Sequence, residues 1–299
     1  MKKVDRIAGA EATIVKGWWA AHRYLFLRRL SQGTILGLFL LGPLAGIWIA
    51  KGNLNASLTL GILPMSDPYV LLQSLLARHA PETAVITGAL IVVVLYVLVG
   101  GRSYCSWVCP LNVVTDIAYR LRTHLGFSAG ARMSKTTRYW LFGTTLIVSA
   151  LTGSIVWEMV NPVSMLHRGL IYGMGTVWVV ILAVFIFDLA ISKRGWCGHL
   201  CPVGAFYGLL GRASVLRVSA TGRERCNDCM DCFQVCPEPQ VLKLPVHGAA
   251  KGHGPVILSP NCTNCGRCID VCAKDVFHFA TRFGSRPEAI EYFVEETQP

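Results

Sequence analysis

The chain of 299 residues is 53% hydrophobic and 15% charged, with a mean hydropathy of +0.48, whereas an ordinary soluble domain carries about 25% charged residues. That composition excludes a purely water-soluble protein as the expectation. The net charge of +11 does not require nucleic acid as a partner, because Lys and Arg that fix membrane topology give such an excess and no basic-aromatic nucleic-acid module appears.

In chain order, a basic segment (1–31) precedes four windows of 19 residues without Asp, Glu, Lys or Arg: Gln32 to Ala50, Thr83 to Gly101, Tyr139 to Trp157 and Gly169 to Phe187. At 1.5 Å per residue each is about 28 Å long, close to the roughly 30 Å hydrocarbon thickness of a bilayer. They predict an all-α four-helix membrane domain (32–191) with spans near 32–50, 83–101, 139–157 and 169–190. Seven Lys and Arg precede the first window and six lie between the second and third (Arg102, Arg120, Arg122, Arg132, Lys135, Arg138), against only Lys51, Arg78 and Arg168 in the other connectors. The asymmetry predicts both termini on the cytoplasmic side of the membrane. Arg28-Arg29 reads as a positive-inside flank, since a full-length apolar window follows without a small-residue cleavage site. In the outer loop from Lys51 to Glu82, the pattern Pro68 to Leu76 predicts a helix capped by Ser66 or Asp67 and lying in the outer interface plane.

The two halves of this region repeat each other. The second window runs into Gly101-Arg102-Ser103-Tyr104-Cys105-Ser106-Trp107-Val108-Cys109-Pro110, and the fourth into Lys193-Arg194-Gly195-Trp196-Cys197-Gly198-His199-Leu200-Cys201-Pro202. The outer loops correspond as well, Met65-Ser66-Asp67-Pro68 against Met159-Val160-Asn161-Pro162, at an offset of 94 residues where the cysteine motifs are offset by 92. A duplicated helical hairpin is implied, with Cys105, Cys109, Cys197 and Cys201 on one membrane face.

Hydropathy falls after the fourth window, and the remainder (192–299) holds eight of the twelve cysteines. They form two runs, Cys226-x2-Cys229-x2-Cys232-x3-Cys236-Pro237 and Cys262-x2-Cys265-x2-Cys268-x3-Cys272. This is the bacterial two-cluster ferredoxin spacing, in which a short loop wraps three thiolates around one iron–sulfide cube and the fourth cysteine reaches the other. A small α+β ferredoxin-like domain at about 217–282 follows, holding two [4Fe-4S] clusters. Cluster one takes Cys226, Cys229, Cys232 and Cys272, and cluster two takes Cys262, Cys265, Cys268 and Cys236. A zinc site needs four ligands and not eight, and a cytoplasmic location disfavours disulfides. Glu288 to Glu296 reads as a short, solvated acidic tail.

These motifs together resemble the polyferredoxin-type membrane proteins, and among them the ferredoxin-type membrane subunits of periplasmic nitrate reductase systems. The resemblance is carried by Gly17-Trp18-Trp19, Cys105-Ser106-Trp107-Val108-Cys109-Pro110-Leu111-Asn112, Trp196-Cys197-Gly198-His199-Leu200-Cys201-Pro202-Val203-Gly204-Ala205 and Cys229-Met230-Asp231-Cys232-Phe233. It implies a quinol dehydrogenase component that takes electrons from membrane quinol. A periplasmic iron–sulfur partner subunit and a multihaem cytochrome would then carry them toward nitrate reductase.

Pairing clusters with a membrane quinol is physically sensible, because cubanes carry single electrons whereas a quinol releases two. No haem-attachment Cys-x-x-Cys-His occurs to carry electrons across the membrane. The Cys-x3-Cys-Pro cysteines Cys105, Cys109, Cys197 and Cys201 stand as a possible further redox or metal site; the alternative is four structural buried cysteines. Polar groups for a quinol pocket are Gln73, His79, Asn161 and Asp188, with Glu158 and His167 nearby. Other readings are a polyferredoxin serving another respiratory route, such as nitrous oxide or methylamine, and a redox or metal assembly factor for a respiratory enzyme.

Overall fold

The computed structural model describes residues 8–127, 130–131, 133–173, 175 and 177–284, so the acidic segment Glu288 to Glu296 lies outside the described residues. Helices α1 (Ala10–Lys16) and α2 (Trp18–Ala45) are separated by Gly17 alone. α2 ends at Gly46, whose left-handed backbone lets its N–H bond the Gly42 carbonyl. The first apolar window therefore stops being helical at Ala45. The chain turns into an antiparallel three-stranded sheet, β1 (Ala50–Gly52), β2 (Ala56–Thr59) and β3 (Leu63–Ser66), with Lys51 opposite Leu58 and Leu58 opposite Pro64. This sheet corrects the all-α expectation for the amino-terminal half. Its cause is local: the Asn53 side chain accepts from the N–H groups of Asn55 (2.8 Å) and Ala56 (3.0 Å), fixing the β1–β2 turn.

α3 (Pro68–Leu76) begins at Asp67, whose Oδ1 accepts from Tyr69 N at 3.0 Å. It is followed by α4 (Thr83–Val99), α5 (Ser103–Trp107), α6 (Leu111–His124) and α7 (Thr137–Thr152). α3 packs against α4 and α7, with Tyr69 and Gln73, one turn apart, completely buried. It is thus packed into the helical bundle by the face that carries Tyr69 and Gln73, while Leu75 and Leu76 remain exposed. After α8 (Val156–Val160) and α9 (Pro162–Tyr172), Gly173 with φ of 98° interrupts the chain before α10 (Val177–Ile186). The fourth window is therefore two helices. Single π-turns over Phe187–Ile191 and Trp196–Leu200 lead into α11 (Pro202–Leu210). Among the described residues no helix is long and apolar enough to cross a membrane: glycines at 46, 153 and 173 cut the charge-free windows into shorter pieces.

The carboxy-terminal part pairs β4 (Leu216–Ser219) with β5 (His278–Thr281), antiparallel, Val218 opposite Phe279. Between them lie the short helices α12 (Asp231–Val235), α13 (Lys243–His247) and α14 (Arg267–Val271). Its core gathers Val218, Leu242, Ile257, Val271 and Phe277. Two aspartates strap the amino terminus to this domain. Asp231 accepts from Gly9 N at 2.9 Å, and the fully buried Asp270 accepts from Tyr24 N and Leu25 N, both at 3.1 Å. Gly266 is obligatory here, because it has a φ of 71° and any side chain would strike the Tyr24 ring.

A buried ion cluster joins the ferredoxin domain to the helical part. Glu238, 2% exposed, pairs with Arg102 (2.8 Å), Lys135 (2.8 Å) and Arg138 (3.2 Å). Burial opposes its charge, but Arg102 and Lys135 hold its carboxyl down at about 2, so it stays ionised at any physiological pH. A second cluster secures the first cysteine motif. Arg28 donates to Ser106 O (3.0 Å) and Asn112 Oδ1 (2.6 Å), while Arg29 and Arg194 both pair with Asp116. Arg28 is thus a buried structural group.

Two outcomes follow. Glu238→Gln leaves three cations facing a neutral amide, and unfolding followed by visible absorbance and circular dichroism should show a loss of about 3–5 kcal/mol; an unchanged midpoint would contradict the role given to this cluster. Gly101→Ala places a methyl group on the Tyr207 carbonyl and the Gly211 amide, both backbone atoms that cannot move independently. It should cost at least about 1–3 kcal/mol in the same measurement.

Candidate functional site

The cysteine runs fold into two cavities. One, with about 480 Å³ of space partly open to solvent, is lined by Cys226, Cys229, Cys232 and Cys272, with Glu11, Phe233 and Lys274 at its margin. The other, of about 350 Å³, is lined by Cys236, Cys262, Cys265 and Cys268. Each cavity therefore takes three cysteines from one run and the last cysteine of the other. The loops close this tightly because Asp228 and Met230 in the first run, and Asn264 in the second, adopt left-handed backbone. The same turns aim amides at sulfur: the N–H of Asp228 bonds the Cys226 thiol and the N–H of Asn264 bonds that of Cys262. Burial pushes the thiols of Cys232 and Cys262 up, to about 12 and about 11. A thiolate persists there only when a bound cation takes up its charge.

The cavity of Cys262 is fastened to the first Cys-x3-Cys-Pro motif. Ser106 Oγ donates to Thr263 O (2.7 Å), Trp107 Nε1 to Asn264 O (3.0 Å), and Asn264 Nδ2 to the carbonyls of Val99 (3.0 Å) and Leu216 (2.9 Å). Arg102 reaches from Glu238 to Asn261 O and to Cys197 O, both at 3.1 Å. The residues between the two cysteines of the motif thus have a positioning role that spacing alone did not reveal.

Cys105, Cys109, Cys197 and Cys201 line a third cavity of about 500 Å³. The duplication brings them together, since the two motifs arrive from equivalent helical hairpins. The opposite wall comes from the outer loops: Asn55, Asp67, Trp157 and Asn161 line the same space. Asn161 caps α9 as Asp67 caps α3, its Oδ1 accepting from Val163 N at 3.0 Å. Among the described residues no three His, Cys, Asp or Glu side chains converge tightly enough for one metal ion. An iron–sulfide cube spreads four thiolates around a larger body than a single ion, and the four-cysteine linings of the two ferredoxin cavities suit that kind of group.

The four residues expected to form a quinol pocket do not assemble. Asn161 lines the third cavity. Gln73 is buried elsewhere, accepting from Ser149 Oγ (3.1 Å) and Trp157 N (3.0 Å). His79 binds Gly153 O at 3.0 Å on an exposed surface, and Asp188 caps the turn at Trp196 N (2.9 Å). Glu158 sits beside Asn55 and Arg168, while His167 is buried against Phe39. Asn55, Trp157 and Trp196 were not anticipated as lining residues. The matching of Asp67-Pro68 with Asn161-Pro162 was the one signal that pointed toward this wall.

A family described as "4Fe-4S binding domain" matches residues 82–128 and 174–221, and one described as "4Fe-4S dicluster domain" matches residues 225–276. The ferredoxin-type protein NapH of Escherichia coli K12 is 50% identical over 286 residues, covering 95% of this chain and 99% of that protein. The methylamine utilization ferredoxin-type protein MauN of Paracoccus denitrificans is 52% identical over 268 residues, covering 89% and 93%. NapH of Haemophilus influenzae is 48% identical, covering 95% and 98%. No solved structure matches the chain. The cysteine cavities and these identities together establish that the chain belongs to the ferredoxin-type protein family of NapH and MauN and is an iron–sulfur electron-transfer protein.

Proposed function

We propose that the chain is a membrane-embedded electron-transfer subunit that takes part in quinol oxidation and passes electrons toward periplasmic nitrate reductase. The observation that carries this reading is the pair of four-cysteine cavities, fastened through Arg102 and Trp107 to a helical part whose outer surface is apolar. Leu90 and Leu98 on α4, Leu151 on α7 and Val179 and Leu182 on α10 are all more than half exposed. A lipid environment accounts for these side chains. The four spans and cytoplasmic termini are part of the same proposal, with the basic segments on the inner side.

Cluster one is assigned to Cys226, Cys229, Cys232 and Cys272, and cluster two to Cys262, Cys265, Cys268 and Cys236. When bound, each [4Fe-4S] cube stores one electron. The chain's own residues fix the thiolates, donate amide hydrogen bonds to them and exclude water. Cys229 is the most exposed of the eight and lies beside Glu11, Asp228 and Lys274, which marks the cluster-one edge as the accessible one. A periplasmic iron–sulfur subunit and a multihaem cytochrome are the proposed partners beyond the membrane. A second reading is favoured by the MauN relatives, whose identity equals that of NapH: the same electron chemistry serving a methylamine route.

The crossed assignment has a distinctive consequence. Cys236→Ser, although it lies in the first run, should abolish the reduced-state electron paramagnetic resonance signal of cluster two and leave that of cluster one. Cys272→Ser should do the reverse. Uncrossed losses would overturn the assignment. For the destination, deleting the chain should abolish or strongly slow quinol-dependent periplasmic nitrate reduction, with restoration by the intact gene. Intact nitrate reduction accompanied by failed maturation of a respiratory oxidase would identify an assembly factor instead.

A further inference from the structure

We propose that the third cavity is itself a metal-cluster site, binding a cubane-type iron–sulfur centre through Cys105, Cys109, Cys197 and Cys201 between the outer loops and the ferredoxin domain. This rests on the reading of the chain as an iron–sulfur electron-transfer protein and extends it to the duplicated motifs.

The lining is the first argument. Like each of the two ferredoxin cavities, this one is lined by four cysteines. Unsatisfied donors are the second. Trp157 and Trp196 line this cavity, and both indole N–H groups are buried without a hydrogen-bond partner among the described residues. Trp157 is 5% exposed. A buried donor left empty is costly, and sulfide or thiolate sulfur at the centre of the cavity provides the acceptor.

The surrounding backbone supplies the third argument. Four helices of nine residues or more begin at this space, each next to a proline in its first turn or at its cap: α3 after Asp67, α6 after Cys109-Pro110, α9 after Asn161 and α11 after Cys201. Their amino-terminal ends carry positive partial charge, which suits a four-thiolate cluster of net negative charge. Asp67 opposes it, but its carboxylate is engaged by Tyr69 N and by the Tyr207 hydroxyl at 3.3 Å.

Position completes the case. A further cavity shares Cys105 and Cys197 with this site and Pro237, Glu238 and Thr263 with the cluster-two cavity. Arg102 spans the same interval, donating to Cys197 O on one side and Glu238 on the other. A one-electron centre held by the four cysteines is therefore the nearest neighbour of cluster two on the side of the outer loops.

Native mass spectrometry of the full-length chain, purified anaerobically in detergent, should show three cubane masses. Iron and acid-labile sulfide should stand near 12 per chain, at about four of each per cube. The double variant Cys109→Ser with Cys201→Ser should lose about one third of both while keeping the two ferredoxin signals. Trp157→Phe should retain the iron but lower the midpoint potential of one centre only, because hydrogen bonds to sulfur raise it. Two cubanes in the native chain, with Cys105, Cys109, Cys197 and Cys201 alkylatable or joined as disulfides, would overturn the proposal whether or not the variants fold. Loss of the ferredoxin signals with the third retained would instead overturn the two-cluster reading.

Discussion

A single buried carboxylate holds the architecture in register. Glu238 follows the Cys236-Pro237 turn of the ferredoxin domain, yet its three cationic partners come from the helical part: Arg102 beside the first cysteine motif, Lys135 just before α7 and Arg138 in its first turn. Taking an isolated carboxylate out of water is expensive, and so is burying a guanidinium. Neither group can be where it is without the other. The domains must therefore meet at this point, and Arg102 then has hydrogen bonds left for Cys197 O and Asn261 O. Cysteine motifs 92 residues apart and the loop that begins the second cluster run are fixed relative to one another through one side chain.

The same economy appears at Asp270 and Asp116. Each is a carboxylate that takes partners from far away in sequence: the Tyr24 and Leu25 amides for Asp270, which also pairs with its neighbour Arg267, and Arg29 and Arg194 for Asp116. The basic residues counted as topology signals are thus not all solvated flanks. Arg28, Arg102 and Arg138 are among the most buried side chains in the protein. Their charge is used inside, between helices, while the apolar side chains of α4, α7 and α10 face outward.

This inversion explains what could be read beforehand. Cysteine spacing has a local cause, the reach of a short loop around a cube, and the gathering of Cys236 with Cys262, Cys265 and Cys268 was legible because of it. The cap at Asp67 was legible for the same reason, since a cap bonds an amide two residues away. The β1–β3 sheet begins where the first window ends and lies in the connector from Lys51 to Glu82, where strands of three and four residues are too short to set up a readable period of two. The lengths of the helices were misread because glycine breaks such as Gly173 leave no mark on a count of charges. Partners of the buried arginines had no sequence signal at all, because an ion pair over more than a hundred residues has no period.

The strapping of α1 and α2 by Asp231 and Asp270 bears on how the protein is made. Synthesis delivers Gly9 and Tyr24 first and Asp270 almost last. The opening helices cannot complete their contacts until α14, which carries Cys268 and precedes Cys272, has left the ribosome and folded. These contacts therefore close late, with the segment that carries the last cysteines of the second run. Until that segment folds, Tyr24 and Leu25 lack their carboxylate partner, while Arg28 and Arg29 already have theirs in residues 106–116, so α2 is fastened at its middle before its first turns are.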